Sequence, residues 1–370
     1  MSAPGVARSP GAVPFRLERR GIVMTPLEGE PTEAWGVLNP ATARREQDTF
    51  LFARLVAEGN VSRIGRARVV FDGDGSPVGV ERLGMALEPD EAWELHAGGG
   101  GVEDPRITHI PRLGRWVMTY TAYGPLGPRI GIAASADLEH WERLGPASFR
   151  YQAALRTDLG MYHNKDAVLF PEPVPGPDGR PAYAMLHRPI WDLSLFLPGA
   201  GEPLPDGVED PRPGIWISYA PAAAVEQDLG AITRFEQHRL VAMPERDWEA
   251  LKIGAGTPPI RVDQGWLVLY HGASGRLIPG LDLQPHVRYS AGALILDPLD
   301  VSRVIARSPD PLLEPELPEE VAGTVGNVVF PTAIEPAADG TGHDVYYGMA
   351  DCRIGVARLT RIPVENDAQE

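Results

Sequence analysis

GGGGVEDPRITHI at residues 98–110, the short turn PRLG, then RWVMTYTAY at residues 115–123: the reading of this stretch decides the fold. Both arms are rich in β-branched and aromatic residues and are separated by Pro111 and Gly114, which predicts an antiparallel hairpin. Glu103 and Asp104 stand where the first arm begins, and Tyr123 stands where the second ends. The plan is a polar start, a short strand, a turn, an aromatic-rich strand and a polar finish, and it recurs four more times. The other copies are GVLNP (36–40) with TFLFAR (49–54), NKDAVLF (164–170) with AYAMLHR (182–188), GTPPIRV (256–262) with WLVLYH (266–271), and GNVVF (326–330) with DVYYGMAD (344–351). A further strand-like segment follows each hairpin, at 62–71, 129–141, 214–220, 288–296 and 353–359.

Five near-equivalent antiparallel units predict an all-β chain folded as a five-bladed β-propeller, with the active site at the mouth of the central channel. The expected organisation is a flexible tail over 1–15, a single propeller domain over 16–360 and a C-terminal tail over 361–370. Only 89–96 and 244–251 carry helical signals, with acidic residues early in each. Two insertions interrupt the pattern. Residues 198–213 repeat the hexapeptide GVEDPR at 207–212 with no strand directly after it, and are read as a surface loop. Residues 275–286 are read as a rim loop or an oligomer contact.

Composition narrows the function. A hydrophobic share of 43% supports a large core, and 41 glycines with 38 prolines suit many short strands joined by turns. A net charge of −16 argues against a nucleic-acid or anionic-membrane surface. The single cysteine, Cys352, excludes an internal disulfide and a cysteine metal cluster, and suits a reducing, cytoplasmic setting. No apolar segment resembles a signal peptide or a membrane span. His109, His187 and His271 are too dispersed for a metal site, so no metal and no cofactor is expected. The four glycines let the backbone approach a neighbour closely. Without a GxGxxG or Walker pattern they read as a crossing and not as a phosphate cradle.

In an antiparallel hairpin the start of the first strand and the end of the second lie at one end. The five units therefore bring Asn39, Asp104, Lys165, Asp166, Thr257 and Asn327 to the same mouth as Arg54, Tyr123, His187, Arg188, His271 and Asp351. Taken singly, each is an ordinary strand-end residue; the recurrence makes a site. Its chemistry is carboxylates (Asp104, Asp166, Asp351) facing cations (Arg54, Lys165, Arg188, Lys252). Carboxylates against a sugar ring suit glycosidic bond cleavage, and guanidinium groups suit an anion such as phosphate.

At these residues the chain resembles glycoside hydrolase family 130, the β-mannoside phosphorylases and related mannosidases. The matching stretches include GVEDPRIT (101–108), NKDAVLFP (164–171), MLHRP (185–189), KIGAGTPP (252–259), GWLVLYHG (265–272), NVVFP (327–331) and YYGMAD (346–351). The resemblance implies an inverting phosphorolysis of a β-mannoside that releases α-mannose 1-phosphate. It places the catalytic acid on Asp104, acting through the 3-hydroxyl of the mannosyl unit. It places phosphate binding on Lys165, Arg188, Lys252 and Tyr289, with sugar contacts from Asn39, Arg54, Asp166, His271, Phe330 and Asp351; His187 joins these from the hairpin argument. The implied partners are a β-mannoside and inorganic phosphate as co-substrate, with a homo-oligomer allowed. The alternatives are a β-mannosidase on the same fold and a non-catalytic sugar-binding propeller. The loop around Asp210 and the stretch APAAAVEQ (220–227) depart from the family pattern.

Overall fold

Along the strand His163–Leu169 successive side chains enter different cores: Val168 packs on one side, and Ala167 and Leu169 on the other. That period of two is what a strand buried on both faces requires, and it governs the whole chain. The structure is a computed structural model that describes residue 11 and residues 13–192, 204–278 and 286–363. It is all-β, with 55% strand and 9% helix. Residues 1–10 and 12 of the N-terminal tail, the C-terminal tail beyond 363, residues 198–203 of the insertion at 198–213 and residues 279–285 of that at 275–286 lie outside the described residues.

The strands form antiparallel groups in chain order. The first is Gly36–Arg45, Asp48–Ala57, Val61–Phe71 and Pro77–Leu87; the second is Gly100–Ile110, Arg115–Gly124, Gly127–Ser135 and Glu142–Pro146. Where separate units are expected, a short parallel contact of Val61 and Ser62 with Gly100 and Gly101 joins these two into one eight-stranded sheet of half-barrel form. The third group is built on His163–Leu169, Pro181–Ile190, Ile215–Pro221 and Arg234–Ala242. The fourth is Lys252–Ala255, Gly265–Gly275, Val287–Leu296 and Val304–Arg307, and the fifth Val329–Pro336, His343–Met349 and Arg353–Arg361. The fifth takes its outer strand from the other end of the chain, where Phe15–Met24 pairs with Arg353–Arg361.

Hydrophobic cores lie between consecutive groups. Phe52 and Ile64 meet Val102 and Met118; Ile130 and Ile132 meet Leu169 and Met185; Leu186 and Ile217 meet Trp266 and Leu294. Leu269 and Ile295 meet Ile334 and Val345. The series closes where Leu51 and Leu55 of the first group meet Tyr346 and Val356 of the fifth.

A second repeat lies in the turns that precede the groups. Buried Glu94 accepts from Tyr120 Oη at 2.6 Å, Arg143 Nε at 3.0 Å and the Asp90 amide at 3.1 Å. Buried Glu249 accepts from Tyr270 Oη, Arg307 at 2.6 Å and the Glu245 amide at 2.9 Å. Buried Glu320 accepts from Tyr347 Oη at 3.0 Å, Arg19 at 2.8 Å and the Glu316 amide at 2.9 Å. Glu33 with Arg82 at 2.7 Å is a reduced form of the same clip. Each clip satisfies a buried carboxylate with charge-assisted bonds and pins the entry to the following inner strand. Of the two helical expectations, 244–251 holds one 3₁₀ turn, Asp247–Glu249, while 89–96 is turns alone. The α-helices are Ala222–Gln227 and Pro318–Val321 among the described residues.

Candidate active site

Three strands from three groups deliver a polar side chain to one place through the same distortion. In Gly36–Arg45 the pairing register skips between Leu38 and Ala41, in Gly100–Ile110 between Glu103 and Arg106, and in His163–Leu169 between Lys165 and Val168. Within these bulges Asn39, Asp104 and Asp166 have φ of 42°, 47° and 56°. Asn and Asp accept the left-handed region better than other residues bearing a Cβ, and a bulge re-aims the side chain it carries. Asp351, at the end of the fifth group's hairpin, has φ 48°. Glycines clear the space: a Cβ at Gly348 would strike Asn39 Oδ1, and one at Gly254 would strike Asp166 Oδ2. The glycine run opens the strand that carries Asp104. Gly100 faces the Tyr123 carbonyl and Gly101 the Ser62 carbonyl too closely for any side chain, so the run is a backbone crossing.

Asp104 Oδ1 accepts from Asn39 Nδ2 at 2.9 Å and from an Arg54 guanidinium nitrogen at 3.1 Å. Arg54 also donates to Glu103 Oε1 at 2.9 Å and to Ser62 Oγ at 2.9 Å, while Lys165 Nζ lies 3.3 Å from Glu103 Oε2 and over the Tyr123 ring. Burial pushes the Asp104 pKa up, but Arg54, Lys165, Arg106 and the Asn39 hydrogen bond outweigh it and hold the carboxyl below its usual range. Asp351 shares the same surroundings without an opposing hydrogen bond. Burial, reinforced by the charges of Asp104 and Glu103 against the pull of Arg54 and Lys165, pushes it up to about 6.

The second part of the site is organised by Asp166. Its Oδ2 accepts from Arg188 Nε at 2.5 Å and lies 3.5 Å from His271 Nε2, and its Oδ1 lies 3.7 Å from Arg106. Burial raises the Asp166 pKa, but Arg188, His271 and Arg106 prevail and hold it well below the ordinary range. Burial also lowers His271 to about 3, so its ring is neutral. Phe330 stacks 4.2 Å from His271, Tyr289 stands 6.0 Å from that ring, and Lys252 Nζ lies 5.2 Å above Tyr289. Arg106 ties the two parts together by donating to the Asp104 carbonyl at 2.8 Å and the Gly256 carbonyl at 3.2 Å. Several buried polar atoms in this wall have no protein hydrogen-bond partner: Asn39 Oδ1, Arg106 Nη2 and both ring nitrogens of His271. Such atoms in a protein wall point to a polar ligand or solvent.

The structure thus gathers Asn39, Arg54, Asp104, Lys165 and Asp351 in one part and Asp166, Arg188, Lys252, His271, Tyr289 and Phe330 in the other. Lys165, expected with the phosphate-binding cations, stands opposite Arg188 in the hairpin register and donates to Glu103 at 3.3 Å. His187 does not reach the mouth. It is buried in the third group, with Asn164 at 2.9 Å and Ser218 at 2.7 Å, because adjacent residues of a strand face opposite ways and Arg188 takes the side of Asp166. The second GVEDPR copy forms no part of the site: Asp210 pairs with its own Arg212, which donates to the Pro244 and Ala250 carbonyls. Glu103 and Arg106 are additions that the sequence reading quoted without assigning a role. Among the described residues no group of three His, Cys, Asp or Glu is placed to hold a metal, and no helix is long and apolar enough to cross a membrane. Beside Arg54 and Asp351 a cavity of about 880 Å³ opens toward Trp35.

A carboxyl on one side of a pocket and cations on the other can protonate an oxygen while holding an anion, which is the chemistry of glycosidic bond cleavage by an anionic nucleophile. A family profile described as β-1,4-mannooligosaccharide phosphorylase matches residues 15–364, and the chain belongs to that family, glycoside hydrolase family 130. It is 35% identical to the 1,2-β-oligomannan phosphorylase of Thermoanaerobacter sp. (strain X514) over 70% of this chain and 68% of that protein. It is 33% identical to the β-1,2-mannobiose phosphorylase of the same organism over 95% of this chain and 99% of that one. It is 28% identical to the β-1,4-mannooligosaccharide phosphorylase of Ruminococcus albus over 94% and 88% of the two chains. The fold is similar to that of Listeria innocua β-1,2-mannobiose phosphorylase, with a TM-score of 0.69, 22% identity and coverage of 94% and 97% of the two chains.

Proposed function

We propose that this chain is an inverting phosphorylase that cleaves β-mannosides with inorganic phosphate to give α-mannose 1-phosphate. The observation that carries the reading is that Asp104, held by Arg54 and Asn39, and Arg188, held by Asp166, are joined through Arg106 in one buried polar site. Relatives named as phosphorylases of β-1,2- and β-1,4-mannosides support it. In this reading Asp104 supplies the proton that leaves with the glycosidic oxygen, relayed through the mannosyl 3-hydroxyl. Phosphate, held by Arg188, Lys252 and Tyr289, attacks the anomeric carbon from the opposite face, so the product is inverted. Asn39 and Arg54 hold Asp104, and His271, Phe330 and Asp351 contact the sugar. Asp166 sets the direction of Arg188, and Lys165 balances Glu103 beside the acid. A dianionic phosphate on Arg188 and Lys252 adds negative charge to the site that Asp104 shares, which favours the protonated form of that carboxyl when the nucleophile arrives.

The five antiparallel groups are, in the same proposal, the blades of a single propeller over 16–360. The cyclic succession of cores, the pairing of Phe15–Met24 with Arg353–Arg361 and the repeated glutamate clips support it. The test of function is incubation with β-1,2-mannobiose, β-1,4-mannobiose and β-1,4-mannosyl-glucose, with and without phosphate. Phosphate-dependent release of mannose 1-phosphate from at least one is the expected result. Turnover that is equal in the absence of phosphate overturns the proposal.

A further inference from the structure

We propose that the cavity beside Asp351 is the leaving-group end of the site, built for mannoside chains longer than a disaccharide, with Trp35 as the surface that binds the unit beyond the first leaving-group sugar. This rests on the phosphorylase reading above and adds to it a chain-length preference and the residue that sets it. Inversion requires nucleophile and leaving group on opposite faces of the anomeric carbon. The wall of the cavity contains Arg54 and Asp351, which flank Asp104, but none of Arg188, Lys252 and Tyr289. It therefore opens on the acid side, where the departing sugar must lie.

Size and chemistry agree. At about 880 Å³ the cavity is several times what one hexosyl unit fills, near the top of the roughly 300–1,000 Å³ range of small-molecule sites. Trp35 is 41% exposed although it is the kind of residue that folding buries. Trp35 lines the cavity together with Asn60 and Thr324. An apolar ring face bordered by polar groups suits a sugar, whose faces are C–H and whose edges are hydroxyls. The backbone that carries the ring is held in place before any ligand arrives. The Trp35 amide donates to the Val56 carbonyl at 2.9 Å, and Thr324 Oγ1 donates to the Trp35 carbonyl at 2.5 Å. The Val325 amide donates to the Ala350 carbonyl at 3.2 Å, which fixes the facing loop. A preformed surface loses little freedom on binding.

The test measures kcat/KM for β-mannosides of two, three and four units at saturating phosphate, in the unaltered chain, Trp35→Ala and Trp35→Phe. The unaltered chain is expected to favour three and four units over two. Trp35→Ala is expected to lower kcat/KM for the longer substrates about tenfold more than for the disaccharide, the scale of losing one buried aromatic face. Trp35→Phe, which keeps a ring, is expected to restore most of the difference, and retained turnover of the disaccharide by Trp35→Ala shows that this variant is folded. An unaltered chain that shows no gain beyond two units, or a Trp35→Ala variant that lowers all lengths equally, overturns this inference while leaving the phosphorylase reading standing. Absence of phosphorolysis at every length in the unaltered chain overturns both.

Discussion

Replacing Asp104 with asparagine isolates the proton from everything else that residue does. Asparagine has the same size, tolerates the φ of 47° that the bulge imposes, and keeps an Oδ1 to accept from Asn39 and Arg54. Arg54 retains its bond to Glu103 at 2.9 Å, so the buried guanidinium is not left without a carboxylate. The stability cost is then the difference between charged and neutral hydrogen bonds, about 1–2 kcal/mol. The rate should fall about 10²–10⁴-fold, the contribution of a positioned general acid. Alanine is a poorer probe. Left-handed backbone costs it about 1–2 kcal/mol, and orphaning the Asn39 amide adds about 1–3 kcal/mol, so loss of activity would mix with loss of structure. The assay is mannose 1-phosphate release at saturating phosphate, run beside thermal unfolding of both variants. An Asp104→Asn variant that keeps more than about a tenth of the rate refutes the assignment, since a residual activity of that size leaves no room for a general acid.

The remaining predictions concern the anion, the second carboxyl and the clips. Arg188→Ala should raise the KM for phosphate about 10–100-fold, the loss of one charge-assisted contact, with a smaller effect on the KM for mannoside; initial rates against phosphate concentration decide it. Asp351 is held protonated up to about pH 6, so kcat/KM should rise with pH through that region if its anion receives a sugar hydroxyl, and Asp351→Asn should remove the rise. Its raised pKa means that the native state binds more protons than the unfolded chain between the unperturbed carboxylate value of about 3.9 and about 6. Stability is therefore lost as pH rises through that window, and Asp351→Asn should raise Tm above pH 6 but not below pH 4, against an unperturbed Asp pKa of about 3.9. Glu94→Gln breaks a buried clip to Arg143 and Tyr120 and should cost about 3 kcal/mol in urea denaturation at unchanged slope; a midpoint that does not move would show that the clip only decorates the turn.

What the sequence discloses and what it hides divide along physical lines. The hairpins are legible because a strand and its tight turn are local: RWVMTYTAY after PRLG needs no distant partner to be read. Asp104, Arg54 and Asp351 are legible as a set because antiparallel pairing alone puts starts and finishes at one end. The choice between His187 and Arg188 is not, since one step of strand register exchanges the two faces and hairpin spacing does not fix that step. The bulges at Asn39, Asp104 and Asp166 are properties of a strand against its partner, and only the preference of Asn and Asp for positive φ hints at them. Phe15–Met24 falls in none of the predicted hairpins because its partner lies at the far end of the chain. The clips leave a partial trace: Trp93-Glu94 and Trp248-Glu249 follow similar Pro-led turns, but Glu320 has no tryptophan before it, so pattern alone does not join the three.

The arrangement of charge also bears on whether water or phosphate is the nucleophile. Hydrolysis with inversion needs a carboxylate on the face opposite the acid, free to take a proton from water. On the side of Arg188, Lys252 and Tyr289 the carboxylate that the described residues provide is Asp166. Its Oδ2 is bound by Arg188 at 2.5 Å, and its three cationic or imidazole neighbours hold its pKa well below the ordinary range. An anion stabilised that far is a weak base. Asp351, at about 6, has the basicity but stands with Arg54 beside Asp104, the proposed acid. Glu103 has one oxygen on Arg54 and the other on Lys165. Phosphate needs no base, because it arrives already ionised, and it gains from the same cations that disable Asp166 as a proton acceptor. The electrostatics that make this pocket poor at activating water are therefore the ones that make it fit to hold and aim phosphate.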